Sequence, residues 1–361
     1  MASSTKRQFV EKSTSSSSSD RETSPSSGSA FANSQTEIPE CTSKWNENHL
    51  GVLQIVAVQS RAYPPKEILS CVIDETIERR VLRIKEHLTK YMPFGLQSID
   101  FDDFYSVSHE RCKSILYNPQ KLQRSHCFKI EPLPDFAEEA WRESFRVHGE
   151  EFCKHLIYMT WQKERGQTIS EYMFQQLFQH FASMFGLHAI AVPCLQPQTL
   201  TVGGVFVSST PDLVFYDLPN CDGVDSKIFA ICEVKRKSGP NILEPSPPKT
   251  RKYDLEKKRQ IAHLDSEVIG QHGGELLVHY ASKSSKQPGL LGFIIQGTNV
   301  TFTQFSCNEM DYEVIKRGDP SFPEGTGPVI KFSKPYNILK ADERVHLIEP
   351  FLKLGFLQSA L

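Results

Sequence analysis

The stretch from Ser209 to Lys237 constrains the fold more than any other part of this chain. Two short apolar runs, Leu213-Val214-Phe215-Tyr216 and Ile228-Phe229-Ala230-Ile231-Cys232, lie on either side of an Asn-Cys-Asp-Gly turn at 220–223. Short β-rich runs separated by Asn, Asp and Gly read as the strands of a hairpin. Because both runs are apolar on both faces, they belong in the middle of a sheet covered on both sides. Acid and base nevertheless stand at their ends: Asp212 opens the first strand, and Glu233 and Lys235 close the second. Side chains alternate along a strand, so Glu233 and Lys235 share a face roughly 6–7 Å apart. Charges at the rim of a buried sheet are costly, and such clusters concentrate at functional sites.

Metal-assisted hydrolysis of a phosphodiester uses this set of groups. Two carboxylates offer hard oxygen ligands to Mg²⁺, with Mn²⁺ as its substitute, and leave positions for water and a phosphate oxygen. A lysine beside them can orient the water or stabilise charge on the attacked phosphate. Pro211-Asp212 followed by Glu233-Val234-Lys235 resembles the signature of the PD-(D/E)XK nuclease superfamily. That superfamily includes restriction endonucleases, phage and recombination exonucleases and Holliday-junction resolvases. The resemblance spans roughly Thr168 to Phe305. It implies an α/β fold with a restriction-endonuclease-like core: helix, three strands, helix, strand, in a mixed central sheet flanked by helices.

Composition narrows the setting. At 361 residues the chain can hold two modest domains, or one with extensions. A formal charge of −2 gives no global pull toward nucleic acid, so any such binding must come from a local patch. Nine cysteines are scattered without a CxxC pair, which points to reduced thiols in an intracellular protein, nuclear or cytoplasmic. No stretch approaches eighteen apolar residues, and no secretory leader opens the chain, so a membrane partner is not expected.

Residues 1–44 are Ser/Thr-rich and read as a disordered tail. Residues 45–135 form an N-terminal α/β extension of unknown role, with a strand expected from Leu50 to Val58. A helix follows Pro64-Pro65, with apolar positions Leu69, Ile73, Ile77, Val81, Ile84 and Leu88. Asp100, Asp102 and Asp103 make an acidic cluster that reads as a solvated loop or a metal ligand set. The nuclease-like domain, 136–361, starts with a helix from Asp135 to about Lys163, then a second from Thr168 to about Phe185. Glu171 near the start of the second has two readings. Thr168-Ile169-Ser170-Glu171 fits a capping box, whereas the resemblance implies a glutamate assisting the metal site from this helix. Strands are expected at Ala189–Val192 and Thr199–Val207, with Gly203-Gly204 as a bulge or close approach.

Past the hairpin, the segment from Lys235 to Arg259 carries nine Lys/Arg against three acids, a local net of +6. Beside a phosphodiesterase centre this reads as a phosphate-backbone surface, with Lys249, Arg251 and Lys252 in contact. A helix is expected from Tyr253 to about Ala281, weakened by Gly270, Gly273 and Gly274. Gln271 falls on its sheet-facing side. Recombination-type members of the superfamily carry a glutamine here with a tyrosine four residues on; this chain has Glu275 there, so the match is partial. A hairpin of Leu290–Gln296 with Val300–Phe305 and a last helix from Ala341 to about Leu354 complete the chain.

The expected function is thus a Mg²⁺-dependent nuclease. Asp212 and Glu233 would ligate the metal with the Val234 carbonyl as a third ligand, Lys235 would act on water or phosphate, and Glu171 would assist. DNA stands ahead of RNA only on the resemblance. The alternative is a catalytically inactive nuclease-fold module that binds nucleic acid or a protein partner.

Overall fold

The computed structural model describes residues 37–361 apart from 60, 70–74, 91–93, 117–138, 218–226, 237–263, 286, 319, 324 and 360–361. Its helices are α1 (Glu47–Val52), α2 (Pro65–Ile68), α3 (Glu75–Lys90), α4 (Phe94–Ser98), α5 (His109–Leu116), α6 (Glu139–Glu164), α7 (Glu171–Ser183), α8 (Ser266–His279), α9 (Glu309–Arg317) and α10 (Ala341–Ser359). The strands are β1 (Val56–Val58), β2 (Ile190–Ala191), β3 (Gln198–Val202), β4 (Val205–Ser209), β5 (Leu213–Tyr216), β6 (Ile228–Lys235), β7 (Leu290–Gln296), β8 (Asn299–Ser306), β9 (Val329–Phe332) and β10 (Tyr336–Asn337).

The apolar runs 213–216 and 228–232 become β5 and most of β6, paired antiparallel with Leu213 opposite Cys232. Among the described residues they sit inside one mixed sheet of eight strands, ordered β1-β9-β8-β7-β6-β5-β2 with β10 on β8. β6 and β7 run parallel across α8, and β1 and β9 are also parallel, while the other neighbours are antiparallel. Alternation sends Leu213 and Phe215 to a core built with α3, α6, α7 and α10, and Val214 to a second core beneath α8. This two-sided burial is why β6 and β7 read as continuous apolar runs.

Four elements depart from the sequence expectation. The helix opened by Pro64-Pro65 ends at Ile68 with Leu69 as its C-cap, and α3 starts only at Glu75; Ile73 lies outside the described residues. Thr199–Val207 is not one strand: Gly203 and Gly204, at φ 57° and 86°, turn the chain back, so β3 and β4 form a separate two-stranded sheet. Leu50–Val52 close a helix instead of opening a strand, because Asn46 and His49 cap α1 reciprocally. Leu264 and Asp265 lie outside the helix expected from Tyr253. Asp265 is extended at φ −62°, ψ 142°, and α8 starts at Ser266; residues 253–263 are outside the described set.

The residues read as an N-terminal extension contribute to the same sheet and the same cores. β1 pairs with β9, and α3 packs on α10 through the Lys85–Glu349 pair at 2.6 Å. Buried Arg344 donates to the carbonyls of Leu96, Ile99 and Ile338. Residues 1–36 of the expected tail are not described. Thr42–Lys44, placed at its end by composition, form a 3₁₀ turn with Thr42 buried. The acidic trio near 100 is structural: Asp100 accepts from the Ala341 N–H, Asp103 caps the turn at Tyr105, and exposed Asp102 pairs with Lys340. Among the described residues no helix is long and apolar enough to cross a membrane.

Candidate active site

The site forms where β5 begins and β6 ends. Gln175 of α7 donates to the Asp212 carbonyl at 2.8 Å and fixes the Pro-Asp turn. Asp212, half-buried, accepts from the Val234 N–H at 2.7 Å through Oδ2. The acid of the first strand is therefore bonded to the centre of the Glu233-Val234-Lys235 triplet. Glu233 is buried at 2% exposure, and the half-buried Lys235 ammonium pairs with its Oε1. The shared face expected from strand alternation is the one observed.

Glu171 does not take the capping reading. α7 is capped by Ser170 without a side-chain bond, so Glu171 is the first helical residue and cannot close a capping box. Its Oε1 instead accepts from the Arg236 N–H at 3.1 Å, which ties the start of α7 to the end of β6. Gln271 donates to Glu275 Oε1 at 3.0 Å and borders a pocket of about 720 Å³ shared with residues 43–46, Lys235, Arg236 and Gln296. Lys249, Arg251 and Lys252 lie outside the described residues, as does Lys237.

Sequence reasoning missed Glu275. It stands fully buried on α8, its Oε2 without a hydrogen-bond partner and 3.8 Å from His272 Nδ1. It appeared in the sequence only as a departure from a glutamine–tyrosine spacing. The usable signal was its position: a glutamate one residue after Gly273-Gly274, on a helix whose small residues mark close approach to neighbouring chain.

Three carboxyls thus meet with one ammonium. Burial pushes the Asp212 carboxyl up, countered by the Val234 N–H and Lys235 and assisted by Glu171. Burial raises Glu233 well above the usual carboxylate range, and the charges of Glu275 and Asp212 add to that. Glu275 is held at about 7, chiefly by burial, against the bonds from Gln271 and Glu233. Lys235 is raised: burial opposes this, but Glu233, Glu171 and Asp212 outweigh it. Excess negative charge in a desolvated place is the electrostatic condition a divalent cation relieves.

Among the described residues, no group of three or more His, Cys, Asp or Glu side chains is arranged to hold a metal ion. The donor chemistry nonetheless fits Mg²⁺ or Mn²⁺. Asp212, Glu233 and the Val234 carbonyl supply only hard oxygens, and burial, the main cause of the raised proton affinities of the two acids, makes their ionised forms costly without a cation beside them. No family model, curated protein or solved structure matches the chain.

Proposed function

We propose that this chain is a metal-dependent phosphodiesterase acting on nucleic acid, with a restriction-endonuclease-like core. One observation carries the reading. The 2.7 Å bond from the Val234 N–H to Asp212 Oδ2 joins the Pro-Asp turn to the Glu-Val-Lys strand end, bringing both acids and the lysine to one place. The order α7, β2, β5, β6, α8, β7 supports it, with β2-β5-β6 antiparallel, β6 parallel to β7 and the β3–β4 hairpin as an insertion.

Asp212, Glu233 and the Val234 carbonyl would hold Mg²⁺, which when bound supplies Lewis acidity and a more acidic water. The chain's own residues do the rest. The Val234 N–H fixes one oxygen of Asp212 at the end of β6. Lys235, cationic at neutral pH, holds its ammonium beside Glu233, where it can donate to a phosphate oxygen as charge builds. Glu171 holds the β6 terminus through Arg236 and so keeps Lys235 at the rim. DNA is placed before RNA by family resemblance.

Incubating the purified chain with DNA and RNA in Mg²⁺, Mn²⁺, Ca²⁺ or EDTA tests this. Cleavage is expected in the first two and not in EDTA. Lys235→Ala should cut turnover at least ~100-fold, the scale of losing one charge-stabilising donor. Undiminished turnover in that variant would remove Lys235 from the mechanism. A second reading, binding without turnover, is favoured by the direct Lys235–Glu233 pair, which already neutralises one acid. It predicts binding in every condition and cleavage in none.

A further inference from the structure

Glu275 of α8 is 1% exposed and does not line the pocket beside Lys235. It reaches the site through Glu233, whose carboxyl it hydrogen-bonds. From its own helix, Gln271 Nε2 donates to its Oε1 at 3.0 Å. His272 stands next, with Nδ1 3.8 Å from Glu275 Oε2 and Nε2 bonded to Thr303 Oγ1 of β8 at 2.8 Å. His272 reaches Thr303 because β7 carries glycine at 292. A Cβ there would run into Thr303 Oγ1 and stand 2.5 Å from His272 Nε2. Glycine inside a strand weakens it and marks such a close approach. Neither His272 Nδ1 nor Glu275 Oε2 has a hydrogen-bond partner among the described residues. Apolar side chains would fill this space at lower cost. The fold gives up stability to keep a line of polar groups that ends on Glu233.

We infer that Glu275 is a positioning residue: it holds the Glu233 carboxyl in place for the cation, and Gln271 and His272 hold Glu275. This rests on the metal reading above. A ligating carboxylate needs a partner that fixes its orientation, and losing that partner costs about 10–100-fold in metal affinity. Lys235, the other group paired with Glu233, is a poor anchor for this purpose. It has the sign of the incoming cation, so metal binding works against that pair, and its four-carbon stem is flexible. Glu275 carries no positive charge and sits on a helix packed against the sheet. A glutamine in its place can donate an amide N–H to Glu233 and still accept from Gln271.

Thermal melts of the full chain across a Mg²⁺ series, without substrate, give the Kd for the cation from the rise in Tm. Glu275→Leu, close in size but without polar atoms, should raise that Kd at least ~10-fold. Glu275→Gln should stay within about 2-fold of wild type. Gln271→Ala changes a half-buried side chain that the fold can lose, so it reports even if Glu275→Leu does not fold. Its Kd should rise about 3-fold. A purely structural role predicts a different split: lower Tm in EDTA for the variants, with Kd unchanged. An unchanged Kd in Glu275→Leu or in Gln271→Ala overturns the inference and leaves the metal reading standing. So does a loss in Glu275→Gln equal to that in Glu275→Leu. A wild type with no Mg²⁺ response overturns both.

Discussion

The two faces of the central sheet are built on different principles. On the α7–α10 face, Phe178, Phe181, Phe293 and Phe351 form a closed ring cluster. Phe181 and Phe351 lie 5.4 Å apart edge to face, and Phe293 and Phe351 lie 5.8 Å apart and stacked. All four are buried and none carries a polar atom to satisfy. On the α8 face, three glycines sit inside a 14-residue helix, and Glu275, His272 and His279 are buried with atoms that lack hydrogen-bond partners among the described residues. Each such glycine costs about 1 kcal/mol of helix propensity relative to Ala. Both faces bury an apolar core, but only the second gives up helix propensity to bring residues 43–46 close and to hold acids at the end of β6.

The sharpest way to break that comparison is to damage the aromatic face. Phe351→Ala should cost about 3–5 kcal/mol, the range for a fully buried aromatic, with no change in any metal response. Urea melts in EDTA and in Mg²⁺ would measure both, and a loss under 1 kcal/mol would deny that face its role. The opposite face should answer differently. Gly270→Ala gains helix propensity yet drives a methyl into the Asn46 backbone, so a net loss of about 1–3 kcal/mol is expected. A more stable protein would show that the close approach is dispensable.

A smaller effect should appear as pH dependence. Glu275 titrates near 7 in the fold against about 4.5 when unfolded, so the folded chain holds the extra proton between those values. Its contribution is complete at low pH and is lost as pH rises through 7. Glu233 shifts in the same direction. Buried His272 and His279, pushed down to about 3 and about 4, act oppositely but only below the ordinary histidine range. Between pH 6.5 and 8, in EDTA, stability should therefore fall, with roughly 1 kcal/mol from Glu275 alone. Glu275→Gln should flatten that limb, and an identical profile in wild type and variant would remove Glu275 from the acid cluster.

Strand alternation made Asp212, Glu233 and Lys235 legible, because a period of two fixes which side chains share a face whatever the surrounding fold. Glu275 was not legible: its neighbours are set by where α8 crosses β6, a long-range contact with no local pattern. Gly203-Gly204 was half legible: the close approach expected there is made with Gly318, whereas the reversal of the chain shows only in the long-range fold, through the pairing of Val202 with Val205. Leu50–Val52 misled because an apolar run of that length suits a strand, while the helix cap lies upstream at Asn46. Glu171 was ambiguous until the helix start was known, since a shift from N3 to the first position converts a cap into a tether.

The central claim is that Asp212 and Glu233 are placed to share a divalent cation, and thermal melting tests it without knowledge of the substrate. A cation that binds only the folded chain with Kd of about 1 mM adds about 1.4 kcal/mol at 10 mM. That corresponds to a rise in Tm of about 3 °C. Asp212→Asn keeps the shape, can still accept from the Val234 N–H, and removes one charge from the crowded rim. The account predicts that the variant melts above wild type in EDTA and gains almost nothing from Mg²⁺, while wild type gains the full shift. A wild type that shows no Mg²⁺ shift, or a variant that shows the same one, would contradict it.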